Sequence, residues 1–327
     1  MFVPLTFSVA LVMMIASTIC WGSWANTYKL TRGYRFELFY WDYAVGVLVA
    51  SLFFALTLGS HPLDPSSFLG NLHSASISNM LYATLGGFIF NIANVLLLAG
   101  IEIAGLAIAF PLSIGIALAE GVILSYLVQS KGNPYLLGAG VVLALFAVVL
   151  IGKAYGSITG ARSDTSRKGF ITCIVSGVLM GAFAPFNAHA LTSTHPLTPY
   201  SIAVFFALGA FACCFVCNIY LMRHPLVGTP VDFGQYYRTS ISQHAIGLAG
   251  GFIWGIGMVF NLVAANLVGI SVSYAIGQAS PMIAALWGII VWREFVGANH
   301  RARIYLATMF LCYVLALIFI SRAYSAP

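Results

Sequence analysis

Charge is what this chain has least of. Of its 327 residues only 7% are Asp, Glu, Lys or Arg, while 61% are hydrophobic. Soluble domains carry about 25% charged residues. A water-facing surface is therefore excluded, and the bilayer is the natural solvent. The net charge of +6 rests on only 14 basic and 8 acidic residues. No clustered basic face of the kind that nucleic acids require is present. The six cysteines are Cys20, Cys173, Cys213, Cys214, Cys217 and Cys312, all inside apolar runs. They read as small hydrophobes, and Cys214-x-x-Cys217 lacks the second pair that a zinc site needs. There is no G-x-x-x-x-G-K-[ST] loop, so ATP drive is not expected. G-x-S-x-G and H-E-x-x-H are also missing, so nothing supports an enzyme, a metal or a cofactor. The N-terminus has neither a basic n-region nor a small-residue cleavage site. Its first apolar run is expected to be a retained helix.

What is present is hydrophobic length. A span needs about 20 mostly apolar residues. Ten such runs can be read: 5–28, 38–59, 78–100, 104–128, 134–153, 169–191, 199–222, 243–265, 270–292 and 302–322. With the N-terminus outside, twelve Lys and Arg residues fall in inner loops, and only Lys131 and Arg322 fall outside. This is a strong positive-inside split. It predicts a multi-pass protein of the cell inner (cytoplasmic) membrane with both termini outside.

The chain also repeats itself. "GGFIFNIANVLL" (86–97) and "GGFIWGIGMVFN" (250–261) are identical at six of twelve aligned positions, at an offset of 164. The offset continues through Gly105/Gly269, Phe110/Tyr274 and Ala117/Pro281, while "STICWGSW" (17–24) matches "SGVLMGAF" (176–183) at 159. The expected fold is an all-α integral membrane protein of ten transmembrane helices in two inverted five-helix repeats. The halves are 1–156 and 169–327, joined by a cytoplasmic linker at 157–168. Inverted repeats recur in secondary transporters, with the solute site at the midplane between the halves.

Polar and aromatic residues deep in spans are therefore the candidates. Span one carries the stripe Trp21, Trp24 and Tyr28, and span three carries Asn91 and Asn94. Asn187 lies in span six, Trp254 and Asn261 in span eight, and Tyr274 and Gln278 in span nine. Phe110, Ser113, Ala117 and Glu120 share one face of span four. Amides and aromatics in an apolar wall suit a small neutral polar solute, though amides also glue membrane helices together. Glu120 is the most deeply placed acid and is read as a proton carrier or as a neutral acid bonded to a neighbouring helix. Asp42 and His189 are further candidates for proton coupling; Asp42 is close enough to Arg35 to pair with it. Pro111, Pro185 and Pro281 fall within spans as possible bends.

"CWGSWANTYKL" (20–30), "YWDYAVGVLVASLFFALTLG" (40–59) and "GGFIFNIANVLLLAGIEIAGLAIAFPLSIGIAL" (86–118) resemble the ureide permease branch of the drug/metabolite transporter superfamily. Glucose/ribose porters and rhamnose–proton symporters share the same plan. Trp21, Gly22, Trp24 and Asp42 occupy matching motif positions, whereas Glu120 stands where that branch has small polar residues. The resemblance implies proton-coupled uptake of a sugar, ureide or nucleobase by alternating access. The rival readings are a multidrug or metabolite exporter of the same fold, and a non-transporting receptor or scaffold.

Overall fold

The computed structural model describes the chain apart from positions 32, 62, 63, 65, 105, 160–166, 227, 326 and 327, and apart from the side chains of 101, 102, 104, 106–108, 110, 111, 158, 159 and 325. Every regular element described is a helix. In chain order these are α1 (Phe7–Ser23), α2 (Ala25–Leu30), α3 (Phe36–Leu56), α4 (Phe68–Ser74), α5 (Ile77–Ala104), α6 (Leu106–Val128), α7 (Pro134–Thr159) and α8 (Arg167–Thr192). They continue as α9 (Pro199–Cys213), α10 (Ile219–Arg223), α11 (Phe233–Arg238), α12 (Ile241–Val268), α13 (Ile270–Gly277), α14 (Ser280–Ile290) and α15 (His300–Ser325). Among the described residues, eight helices are long and apolar enough to cross a membrane, and Leu112–Val128 is a shorter apolar helix. The chain is thus an all-helical, multi-pass membrane protein, because only helices or closed barrels satisfy their backbone in lipid.

Three expected spans are irregular, and one of them, 270–292, is broken in two. The run 5–28 bends at Trp24, where α1 hands over to α2. There Asn26 donates to the Ser23 carbonyl at 3.0 Å and Thr27 to the Trp24 carbonyl at 2.7 Å. Such side-chain bonds compete with the helical ladder. The run 270–292 is two helices, not one. Pro281 lies in the first turn of α14 and has no N–H to continue α13, which ends at Gly277. In the run 199–222 a π-helical turn, Cys214–Asn218, separates α9 from α10. α12 turns into α13 through Gly269 alone, at a φ of +90° that suits glycine. Pro185, by contrast, lies inside an unbroken α8.

Two helix pairs approach backbone to backbone. α3 meets α12, and α5 meets α9, at glycines with no room for a methyl group. A Cβ on Gly251 would stand 1.9 Å from the Tyr43 carbonyl oxygen, and one on Gly46 would stand 2.1 Å from that of Leu248. A Cβ on Gly87 would lie 1.8 Å from the Phe206 carbonyl oxygen, and one on Gly209 would lie 1.9 Å from that of Thr84. Lipid tails are as apolar as Leu, so close van der Waals packing at small residues holds such helices together.

Gly87→Ala and Gly251→Ala should each destabilise the protein by about 1–3 kcal/mol, the usual range for overpacking. Gly138→Ala should be near neutral, because nothing lies within 4 Å of where its methyl group would stand. Thermal melts of the detergent-purified variants read the difference.

Candidate functional site

The α1/α2 and α13/α14 junctions pack against each other and both line a central cavity. Its walls come from α1 and α2 (Trp21, Asn26), α5 (Phe90, Asn94), α6 (Ile114), α8 (Met180, Phe183), α12 (Trp254) and the α13–α14 junction (Gln278, Ser280). The space, its open mouth included, is about 1030 Å³. Tyr155 at the end of α7 joins these walls at the mouth, and no residue of α15 does.

The floor is aromatic. Trp254 stacks on Phe90 with centroids 4.5 Å apart, and on Trp21 at 5.8 Å. Phe183 stands edge-on to Phe90 at 5.4 Å and to Tyr274 at 5.7 Å. Trp21, Phe183 and Trp254 also wall a second, smaller cavity of about 320 Å³ with Asn187, Asn261 and Tyr274. The two cavities thus share one layer of rings. The Trp21 indole reaches this layer because Gly257 and Gly277 leave a slot for it. A Cβ on either would come within 2.7 Å of the ring.

The mouth is polar. Lys29 pairs with Glu294, which also accepts from the Tyr155 hydroxyl at 3.1 Å. The Lys29 ammonium lies 5.1 Å from the centre of the Trp292 ring. Trp292 Nε1–H donates to Asn26 at 2.6 Å, and Trp287 Nε1–H to Ser23 at 2.8 Å. Four contacts thus tie α1 and α2 to α14 and the turn after it.

A second polar cluster lies outside the cavity. Asp42 in α3 accepts from the hydroxyls of Tyr34 and Tyr236, both at 2.6 Å. His244 Nδ1 stands 3.0 and 2.9 Å from its two oxygens. Burial, and then the hydrogen bond to Asp42, push both phenols well above their usual pKa. They stay protonated donors at physiological pH. The expected Arg35 partner is engaged elsewhere: Arg35 pairs with Glu37 and donates to the Thr229 carbonyl. Asp42 therefore bolts α3 to α11 and α12.

The structure brings together Trp21, Trp24, Asn94, Trp254 and Gln278 on the large cavity, and Asn187, Asn261 and Tyr274 on the small one. Asn94 donates to the Tyr40 hydroxyl at 2.8 Å, and Asn261 to the Ser273 carbonyl at 2.8 Å. The Gln278 side chain has no hydrogen-bond partner among the described residues. Tyr28 and Asn91 line neither cavity: Tyr28 packs edge-on against Phe39, and the Cys214 thiol reaches Asn91 at 3.9 Å. Glu120 packs against Gly181 of α8 and lines neither cavity. His189 packs on Tyr82 with centroids 4.2 Å apart. The side chain of Phe110 lies outside the described residues. Asn26, Phe90, Phe183, Tyr155 and Glu294 were not singled out from the sequence. The Asn in "WAN" (24–26), just past the stripe of Trp21 and Trp24, was the available signal for the first. The phenylalanines are two among 24.

Comparison with known proteins fits this geometry. The ureide permease family model matches residues 163–322. Ureide permease 1 of Arabidopsis thaliana is 21% identical, over 94% of this chain and 95% of its own. A Streptococcus pyogenes protein provisionally named for sugar uptake is 24% identical, over 73% of this chain and 77% of its own. A solved crystal structure shares the fold, with a TM-score of 0.63 at 15% identity over 96% of this chain and 98% of that one. These likenesses support a ureide-permease-like membrane transporter of small solutes, not an enzyme.

Asp42→Ala should lower stability by about 1–3 kcal/mol for each buried partner left unsatisfied. Glu294→Gln should cost less, about 0.2–1 kcal/mol, because the side chains of Lys29 and Glu294 are 45% and 26% exposed. Melting temperatures of the two purified variants give the order.

Proposed function

We propose that this chain takes up a small neutral polar solute, of the sugar, ureide or nucleobase class, by proton-coupled alternating access. One observation carries the reading: a large cavity, open at a polar mouth, and a smaller one share a single aromatic layer of Trp21, Phe183 and Trp254. The open chamber lies on the side of Lys29 and Glu294, which the basic-residue split assigns to the cytoplasm. The conformation is then inward-facing, and the termini lie outside.

The proposed machinery is two inverted five-helix halves. Glycine contacts support it. The Gly46–Leu248 contact maps onto Gly209–Thr84, and Gly251–Tyr43 maps onto Gly87–Phe206, at offsets of 163 or 164. Likewise a Cβ on Gly22 would stand 2.5 Å from the Ser280 carbonyl oxygen, while one on Gly181, 159 residues later, would stand 3.2 Å from that of Ala117. On this reading α6 and the α13–α14 pair are the fourth and ninth spans, completing ten.

The solute class follows from the lining. Amides of Asn94, Asn26 and Gln278 stand among Trp21, Trp24 and Trp254. The rings offer flat apolar faces and the amides offer donors and acceptors, with the mouth's charges paired to each other. For the coupling proton, Glu120 is the better candidate of the three named. It has no hydrogen bond or ion pair among the described residues, whereas Asp42 is engaged by two phenols and an imidazole.

Purified protein in proteoliposomes should accumulate a labelled member of a sugar, ureide and nucleobase panel when a pH gradient is imposed. Glu120→Gln should abolish accumulation but keep solute exchange. Accumulation at the wild-type level by Glu120→Gln removes it as the carrier, and accumulation only against inward flow identifies an exporter.

Topology is tested separately. Single cysteines placed in 66–76 should react with an impermeant thiol reagent on intact cells, and single cysteines in 155–166 should not. The reverse pattern would invert the membrane orientation.

A further inference from the structure

We infer that Tyr274 is a latch that holds the outer end of the solute path shut, and that its hydroxyl, which its repeat mate Phe110 lacks, sets a resting bias toward the inward-facing form. This inference rests on the transport reading above and on its ten-span order.

Close contacts sort the central helices into two bodies, and each body mixes the halves. In the first, α3 meets α12 at Gly46 and Gly251, α1 meets α14 at Gly22, and Gly257 of α12 lies against Cys20 and Trp21 of α1. Thr18 of α1 also donates to the Ile276 carbonyl of α13 at 3.0 Å. In the second, α5 meets α9 at Gly87 and Gly209, and α8 meets α6 at Gly177, where a Cβ would stand 2.8 Å from the Ser113 carbonyl oxygen. Ser176 of α8 donates to the Ala93 carbonyl of α5 at 2.8 Å. Packed contacts of this kind do not deform continuously, so each body moves as a unit.

Tyr274 reaches from the first body into the second. It is 2% exposed. Its ring lies over Gly121 of α6, where a Cβ would stand 2.5 Å from Cε1. Its hydroxyl donates to the Ala117 carbonyl of α6 at 3.3 Å and to the Met180 carbonyl of α8 at 3.2 Å. Nearer the outer surface, Ile270 N–H donates to Gln129 Oε1 at 3.3 Å, and Ser271 Oγ to the Lys131 carbonyl at 3.4 Å. Toward the inner end the same two spans part: Ile114 of α6 and Ala284 and Gly288 of α14 line the large cavity.

The repeat sharpens the assignment. Tyr274 pairs with Phe110 at the offset of 164, and its acceptors Ala117 and Met180 pair with Pro281 and Trp21 at 164 and 159. Inverting the halves turns the outer latch into an inner one. A phenyl group has no hydroxyl, so the inner latch lacks the hydrogen bonds and the outer end is the tighter closure. Interhelical hydrogen bonds in membranes are modest, so the bias they give is about threefold.

The test reads sidedness in membrane vesicles holding the full chain, with an impermeant methanethiosulfonate as probe and the six native cysteines as background. The reporters are Leu262→Cys on the small cavity and Ala284→Cys on the large one. Tyr274→Phe should speed labelling of Leu262→Cys from outside about threefold and slow that of Ala284→Cys from inside. General loosening of the bundle would instead speed both. Phe110→Tyr gives the inner end its own hydroxyl. It should move both reporters the same way, and it decides the question if Tyr274→Phe does not fold. Unchanged labelling, or faster labelling of both reporters, in a chain that still carries solute overturns the latch alone. A wild type that carries no member of the sugar, ureide and nucleobase panel overturns the transport reading and the latch with it.

Discussion

A backbone amide or carbonyl left unbonded in lipid costs several kcal/mol, so a membrane-spanning chain can stop being helical only where protein or a water-filled cavity receives it. This constraint explains where the present chain breaks. The bend at Trp24 and the gap at Gln278–Ala279 both border the central cavity. At the first, Asn26 and Thr27 side chains take up the carbonyls that the helix releases. At the second, Pro281 has no N–H to leave unbonded. The breaks are thus local solutions to one rule, and they bring irregular backbone to the site.

The same rule shapes the packing. Helices satisfied internally have only van der Waals contact with which to hold one another. Gly46 with Gly251, and Gly87 with Gly209, let two helix pairs touch through their backbones. The space saved there is spent on large rings at the centre. Phe90, Phe183, Phe206 and Trp254 form one mutually packed group with Trp21 and Tyr274 at its margins. The three phenylalanine rings make no hydrogen bonds, so they can change rotamer without breaking one, whereas Tyr274 is held by the Ala117 and Met180 carbonyls. That combination suits a barrier that must open.

Polar bolts lie at the periphery of this layer. Asp42 with Tyr34, Tyr236 and His244 holds α3 to α11 and α12. Lys29, Glu294 and Tyr155 hold the mouth. The first lines neither cavity, whereas the second stands at the mouth of the large one.

The sequence alone determined the solvent, the helical class and the residues that reach the interior. With so little charge only a bilayer can host the chain, and hydrophobic run length is read directly from composition. Asn94, Trp254 and Gln278 were legible because polar and bulky aromatic side chains are costly at mid-span and therefore stand out against Leu and Val. Tertiary structure decided the rest. Tyr34, Tyr236 and His244 stand 8, 194 and 202 residues from Asp42, and no local spacing announces such a cluster. Arg35, the near neighbour, proved to be held by Glu37. Phe90 and Phe183 look like ordinary core residues until folding sets them edge to face. Glu120 has the composition of a site residue, but the rotation of α6 turns it toward Gly181. Helical periodicity fixes which residues share a face. Which neighbour that face meets is a property of the packed bundle, because close approach at glycines far apart in the chain sets each helix's rotation.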